Sequence, residues 1–210
     1  MSGAGITNNA KIIAVVGASG MGKGLFVKAE LRKIRGPILV WSPLEQTDNY
    51  AAVIRGVVVD NIAALVEALK AGRKRIVYAP NATSLKTQFD RFCRVCWELA
   101  GWTIVVEELS EVTQPSWAPP AWRKLSAAGR HRGLTVYGLA QRPAMVDKTF
   151  FGNCSEIRCY AVGYIEDART MAGTMFLDHK EILALEPLHF IHRDKRNKTN
   201  TQGVVKPPRA

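Results

Sequence analysis

The chain has 210 residues, a formal net charge of +11 and 47% hydrophobic residues. A chain of this length buries about 70% of the surface that its unfolded form exposes, so it needs no disulfide or metal to fold. Its apolar runs are shorter than the ~20 residues that span a bilayer, and we therefore expect no transmembrane segment. The positive charge favours a polyanionic partner.

Short apolar segments rich in β-branched residues alternate along the chain with longer segments of helical periodicity. The predicted strands are 11–16, 38–41, 56–59, 75–79, 103–106, 134–140, 157–162 and 188–192. The predicted helices are 23–34, 62–71, 84–100 and 121–129. This alternation predicts an α/β fold in which a mainly parallel central sheet is flanked by helices on both faces.

The end of the chain differs in composition from the rest. Residues 1–192 are predicted to form one domain, whereas residues 193–210 are basic and poor in apolar side chains. Such a composition is typical of a mobile arm or a peripheral hairpin.

Two cysteines, Cys93 and Cys96, have the spacing of a metal or redox motif. Phe89, Phe92 and Trp97 share a helical periodicity with them, so both thiols are predicted to lie on the apolar face of one helix. We therefore expect buried free thiols here, and not a zinc site.

The clearest motif is a glycine-rich loop between the first predicted strand and the first predicted helix. It consists of Gly17, Ala18, Ser19, Gly20, Met21, Gly22, Lys23 and Gly24. Phosphate-binding loops have Gly, four residues, Gly, Lys and then Ser or Thr, and the loop matches this pattern at Gly17, Gly22 and Lys23. Inward-pointing amides and a helix N-terminus bind anions, and the lysine contacts the β- and γ-phosphates. Residues 17–24 are therefore predicted to bind ATP.

Gly24 departs from the motif, because a hydroxyl at this position normally binds Mg²⁺. Water can replace the missing ligand, since Mg²⁺ readily keeps several waters. Weak metal binding, slow hydrolysis and an inactive site all remain open at this point.

Three polar residues follow predicted strands. Glu107 and Glu108 come directly after strand 103–106, and Gln141 follows strand 134–140. Ligands of open α/β sheets bind at the carboxyl ends of the strands. We expect Glu107 to orient Mg²⁺ through water, Glu108 to polarise the attacking water, and Gln141 to contact the γ-phosphate or that water.

These segments together resemble the FtsK–HerA superfamily of DNA-pumping ATPases. The resemblance is carried, in chain order, by residues 41–43, 130–134, 140–143, 146–147, 156–158 and 167–170. It implies that an arginine from a neighbouring subunit completes the ATP site, and Arg130, Arg142 and Arg158 lie in matching segments.

We expect no further domain, and a motor core of this length is similar to the genome-packaging ATPases of membrane-containing icosahedral viruses and phages. This similarity implies a homo-oligomeric ring, with a hexamer as the expected size, that drives double-stranded DNA into a preformed capsid. It also implies contacts with capsid vertex proteins and a location in the host cytoplasm and at the packaging vertex of the virion. Basic residues facing the ring channel would contact DNA; the candidates are 73–75, 123–124 and the tail.

Three alternatives remain from the sequence. One is a filamentous-phage-type morphogenesis or export ATPase, although such proteins normally have a transmembrane segment. A second is a nucleotide-binding structural protein with weak turnover, which Gly24 favours. A third is a small nucleotide kinase, against which the position of Gln141 and the absence of an arginine-rich lid argue.

Overall fold

A computed structural model describes residues 10–81 and 83–206. Its strands are β1 Ile12–Val16, β2 Ile38–Trp41, β3 Val57–Val59, β4 Arg75–Tyr78, β5 Thr103–Val106, β6 Thr135–Ala140, β7 Glu156–Tyr160, β8 His189–Asp194 and β9 Thr199–Val204. Its helices are α1 Lys23–Lys33, α2 Glu45–Asp48, α3 Tyr50–Ile54, α4 Ile62–Lys70, α5 Leu85–Glu98, α6 Leu109–Val112, α7 Pro120–Ala128, α8 Lys148–Asn153, α9 Ile165–Met175 and α10 His179–Leu183.

The strands form one sheet in the order β3-β4-β2-β5-β6-β1-β7-β8-β9. All pairs from β3 to β7 are parallel, and β8 and β9 add an antiparallel edge. β1, β2 and β5 are buried at every residue, because helices cover both faces of a parallel sheet. The predicted fold class is therefore confirmed.

Different helices pack on the two faces of the sheet. Helices α5, α7, α8 and α9 pack on one face around an aromatic chain of Trp41, Phe89, Phe92, Trp122 and Phe150. Cys93 and Cys96 of α5 are free thiols buried in this core, as their spacing predicted. Helices α1 and α3 cover the other face, where Val27 and Leu31 pack against β1 and β2.

Several short elements had no sequence signal. α2, α3, α6, α8 and α10 contain four to six residues each, too few for a helical periodicity to be seen. Helix α9 is longer, with 11 residues, and was also missed.

The end of the described chain forms a hairpin. β8 continues to Asp194, and Arg193 and Asp194 pair with Ile157 and Glu156 of β7, so the boundary predicted after residue 192 falls inside a strand. Arg209, which was assigned to the basic tail, lies outside the described residues. No helix in the described ranges is long and apolar enough to cross a bilayer.

Candidate nucleotide site

The glycine-rich loop joins the carboxyl end of β1, in the centre of the sheet, to the first turn of α1. Gly17 and Gly22 have φ angles of 151° and 115°, which side-chain-bearing residues rarely adopt. A Cβ atom at Gly17 would also lie 2.6 Å from Cβ of Tyr160, and one at Gly22 would lie 3.0 Å from its ring. The loop therefore needs glycine at both positions, because β7 passes directly beside it.

Backbone hydrogen bonds hold the loop to neighbouring strands. The Gly17 amide donates to the Ala140 carbonyl at 3.2 Å, and the Ala18 amide donates to the Ala161 carbonyl at 2.7 Å. At the far end of the loop, the Leu188 amide donates to the Met21 carbonyl at 3.2 Å. The loop is thereby held in place by β6, by the end of β7 and by the segment before β8.

Lys23 is the first residue of α1 and extends over the loop. Its Nζ donates to the carbonyl oxygens of Gly17, at 2.7 Å, and Ala18, at 3.0 Å. The side chain is buried, and this burial lowers the pKa of the ammonium, while the nearby Glu108 and Glu107 act in the opposite direction. The structure thus places a partly desolvated cation at the centre of the loop, where its charge acts strongly on an anion.

The two carboxylates after β5 have different surroundings. Glu107 is buried and accepts a hydrogen bond from the Tyr50 hydroxyl. Glu108 is half-buried, and its carboxylate accepts a 3.1 Å hydrogen bond from the backbone N–H of Gln141. Its backbone φ is 48°, an unusual conformation for a residue with a side chain, and such strain is found most often at functional sites.

The loop, both carboxylates and Gln141 line one cleft of about 370 Å³. They come together because β5, β6 and β1 are neighbours, so that their carboxyl ends meet at one edge of the sheet. This is the arrangement expected from the sequence for Lys23, Glu107, Glu108 and Gln141. The cleft is open and polar, and it can hold a phosphate chain.

Three further residues of this site had no signal in the sequence. Asp48 and Lys28 line the cleft, and Tyr50 binds Glu107 from behind it. Asp48 accepts a 3.1 Å hydrogen bond from the hydroxyl of Ser42, which follows β2. The resemblance of residues 41–43 to a superfamily turn marked this strand end, but it did not indicate side chains from the two short helices beyond it.

Burial raises the pKa of every carboxylate in the cleft. The pKa of Glu107 rises to about 7, mainly through burial, and the hydrogen bond from Tyr50 only partly offsets this rise. Burial is also the main cause of the raised pKa values of Glu108 and Asp48. A cation near these groups would favour their charged forms.

This shift predicts a pH dependence of stability without nucleotide or metal. The folded-state pKa of Glu107 lies above its ordinary value of 4.5, so its stabilising contribution is complete below pH 4.5 and is lost as the pH rises through 7. We expect the free energy of unfolding of the wild type, relative to Glu107→Gln, to fall by about 2 to 3 kcal/mol between pH 5 and pH 8. Urea unfolding at several pH values measures this difference.

The matched control is Glu67→Gln, because Glu67 is an exposed glutamate on α4. The difference in the free energy of unfolding between Glu67→Gln and the wild type is expected to stay constant over the same pH range. An equally constant difference for Glu107→Gln would contradict the assigned pKa of Glu107.

The donor set fits a Mg²⁺ ion that arrives with a nucleotide. Within the described residues, no group of three or more His, Cys, Asp or Glu side chains is arranged to hold a metal alone. Mg²⁺ in nucleotide sites is bound by phosphates, waters and only one or two carboxylates, and Glu107, Glu108 and Asp48 supply oxygens of this kind.

The three candidate arginines do not line this cleft within the described chain. Arg142 follows Gln141, and its Nε lies 2.7 Å from Oδ2 of the buried Asp167. The same guanidinium stacks on Tyr164 at 3.7 Å from the ring centroid. The ion pair and the ring contact thus place the Arg142 guanidinium beside the carboxyl edge of the sheet.

The other two arginines lie farther than Arg142 from the carboxyl edge of the sheet. Arg158, in the middle of β7, is sandwiched between Phe26 and Phe190, at 3.7 and 3.9 Å from the two ring centroids. Arg130 precedes β6, at the end of the sheet opposite to the loop, and lines a cavity of about 760 Å³.

The basic segments proposed for DNA contact are not all free in the structure. Arg75 donates to the carbonyls of Ile34 and Ile54, at 2.7 and 3.1 Å. It lies at the wall of a cavity of about 800 Å³ that is lined by Arg32, Arg35 and Arg55 as well. The sequence did not indicate this arginine pocket, because its members come from separate segments that α1 and α3 bring together.

The fold is shared with solved structures of low sequence identity. The genome packaging NTPase B204 from Sulfolobus turreted icosahedral virus 2, in complex with AMP, has a TM-score of 0.75 and 14% identity over 95% of this chain and 98% of that chain. VirB4 of Thermoanaerobacter pseudethanolicus has a TM-score of 0.69 and 10% identity, covering 94% of this chain and 89% of that chain. The chain therefore has a P-loop NTPase fold like that of these proteins.

Comparison of the sequence with known proteins identifies a family for the chain. No protein-family model matches the chain. Protein P9 of Pseudoalteromonas phage PM2 is 31% identical over 176 residues, which cover 82% of this chain and 78% of P9. The chain belongs to the family of this phage protein.

Proposed function

We propose that the chain is an ATP-driven double-stranded DNA translocase that packages a viral genome into a preformed capsid. The observation that carries this proposal is the cleft in which Lys23, Glu108 and Gln141 meet at the carboxyl edge of the sheet. Support comes from the family of phage protein P9 and from the fold shared with B204, a genome packaging NTPase whose structures include complexes with AMP, AMPPCP and ATP-gammaS.

In this proposal the loop 17–24 binds the phosphates of ATP. Lys23 stabilises negative charge on the β- and γ-phosphates. Glu108 accepts the proton of the attacking water, and its raised pKa brings it closer to the operating pH of a general base. The backbone N–H of Gln141 orients the Glu108 carboxylate, and its side-chain amide contacts the γ-phosphate or that water.

Mg²⁺ would be held by the phosphates, by waters and through water by Glu107. When bound, it neutralises part of the charge on the phosphate oxygens. Gly24 offers no hydroxyl to this ion, but a Cβ added there would meet only the end of the Lys28 side chain, at 3.9 Å. Serine would therefore fit at this position.

The proposed assembly is a homo-oligomeric ring, with a hexamer as the expected size, at the packaging vertex of the virion and in the host cytoplasm. Arg130, Arg142 or Arg158 would reach the site of the neighbouring subunit and stabilise transition-state charge. None of the three lines the cleft of its own chain within the described residues, and Arg158 is packed between Phe26 and Phe190. Capsid vertex proteins would be the further partners.

The arginine pocket is the basic surface that we favour for DNA contact. Among the described residues no acidic side chain lines it, and Arg32, Arg35 and Arg55 are exposed. Contacts between arginine and phosphate do not depend on base sequence, as a motor that moves any sequence requires. Residues 73–74, 123–124 and the basic part of the β8–β9 hairpin are additional candidates.

The test of this function is ATP hydrolysis with and without double-stranded DNA. We expect DNA to raise turnover at least threefold in 50 mM salt and much less in 200 mM salt, because phosphate contacts release counterions. Arg35→Ala/Arg55→Ala should lose most of this stimulation and keep the basal turnover. Lys70→Ala, on the exposed face of α4, is the control for lost positive charge.

The outcomes separate the candidate functions. An ATP hydrolysis rate that is the same with and without DNA would contradict the translocase function and favour a morphogenesis or export ATPase. ATP binding without hydrolysis would favour a nucleotide-binding structural protein, the second candidate, which Gly24 supports.

A further inference from the structure

The first turn of α1 combines a missing side chain with a nearby cation. Gly24 stands where phosphate-binding loops carry a hydroxyl, and Lys28 follows four residues later, on the same side of the helix. The Nζ atom of Lys28 lies 3.9 Å from the position that a Cβ atom at residue 24 would take, and apart from the neighbouring residues and the backbone of α1 itself it is the nearest described atom. The Lys28 ammonium therefore lies next to the space that the missing hydroxyl would fill.

This ammonium faces the nucleotide cleft. Lys28 is half-buried and lines the cleft together with Asp48, Glu107 and Glu108. Its Nζ lies 5.1 Å from the centroid of the Tyr50 ring, which supports the side chain from behind. Within residues 10–81 and 83–206 it makes no hydrogen bond and no ion pair within 4.0 Å. Its charge acts against the raised pKa of Asp48 across the cleft, and its three N–H groups are available to a ligand.

We propose that Lys28 is a second phosphate-binding cation of this site and binds non-bridging oxygens of a nucleoside triphosphate directly. This inference rests on the proposed function, since it requires that the cleft binds ATP. A lysine is a compact charge on a flexible stem, suited to a phosphate chain. Because residue 24 is glycine, it places no side chain between the ammonium and the loop.

Lys28 then performs part of the charge neutralisation that a hydroxyl-bound Mg²⁺ provides in loops with Ser or Thr. It follows that ATP binding should depend less on Mg²⁺ than in such loops. It also follows that Gly24 and Lys28 act as a pair, so that a hydroxyl at residue 24 should compensate for the loss of Lys28 only when Mg²⁺ is present.

The experiment measures the Kd of ATP by calorimetry, once with excess EDTA and once with Mg²⁺. Lys28→Met keeps the aliphatic stem over Tyr50 and removes the charge. We expect it to weaken ATP binding about tenfold in EDTA and about threefold in Mg²⁺, and Lys28→Arg to retain the wild-type affinity in EDTA. Gly24→Ser/Lys28→Met should recover the affinity in Mg²⁺ but not in EDTA.

Lys33→Met is the control, because Lys33 lies at the exposed end of the same helix and pairs with Glu30. Circular dichroism shows whether each variant is folded. If the wild type binds ATP and Lys28→Met binds ATP equally well in EDTA, the role assigned to Lys28 is wrong while the proposed function stands. The same conclusion follows if Lys33→Met loses as much affinity for ATP as Lys28→Met does. If the wild type binds ATP in neither buffer, both are wrong.

Discussion

Replacing Glu108 with glutamine is expected to lower ATP turnover by a factor of about 10² to 10⁴, the range that a positioned general base contributes. The carboxylate is half-buried, its pKa is raised by burial, and the Gln141 amide orients one of its oxygens. ATP binding should remain as tight as in the wild type or become tighter, because the amide removes a negative charge beside the phosphates. Initial rates of ADP formation and calorimetric ATP binding measure the two effects separately.

The control for this change is Glu111→Gln. Glu111 lies three residues farther along, in α6, and is exposed to solvent. Its variant should retain wild-type turnover. If Glu108→Gln also hydrolyses ATP at nearly the wild-type rate, another group must accept the proton, and the role assigned to Glu108 would be wrong.

Replacing Lys23 with alanine is expected to weaken ATP binding about 100-fold, which corresponds to the loss of about two charge-assisted hydrogen bonds to phosphate. The ammonium lies over the loop, where burial strengthens its interaction with an anion. Turnover should fall below detection at ATP concentrations that saturate the wild type. Titration of the variant with Mg²⁺ and ATP in a calorimeter measures the change in Kd.

Lys33→Ala removes the same charge from the exposed end of α1 and should bind ATP as the wild type does. Wild-type affinity in Lys23→Ala would show that the glycine-rich loop is not the phosphate site. The proposed function would then lose its main support.

The central part of the site could be predicted from the sequence because it depends on local patterns. Gly17, Gly22 and Lys23 belong to one continuous motif, and Glu107 and Glu108 follow one apolar strand. Parallel topology places the ends of such strands at one edge, so the convergence of these residues with Gln141 followed from the fold class. The strands most deeply buried in the sheet, such as β1 and β5, were also the easiest to predict, since burial on both faces requires continuous apolar residues.

The contacts that tune this site could not be predicted, because they join distant positions through short helices. Tyr50 of α3 and Glu107, which follows β5, are 57 residues apart. Helices α2 and α3, with four and five residues, show no periodicity, so nothing in the sequence marked Asp48 or Tyr50.

The sequence by itself therefore determined the class of fold and the position of the glycine-rich loop, including the missing hydroxyl at Gly24. Only the tertiary structure decided what surrounds that loop. It buried Glu107 against Tyr50, which raises the pKa of the carboxyl to about 7, and it placed the Lys28 ammonium beside residue 24. The physical reason is that local patterns specify strands, helices and loops, whereas burial and charge at a site depend on which segments the packed sheet brings together.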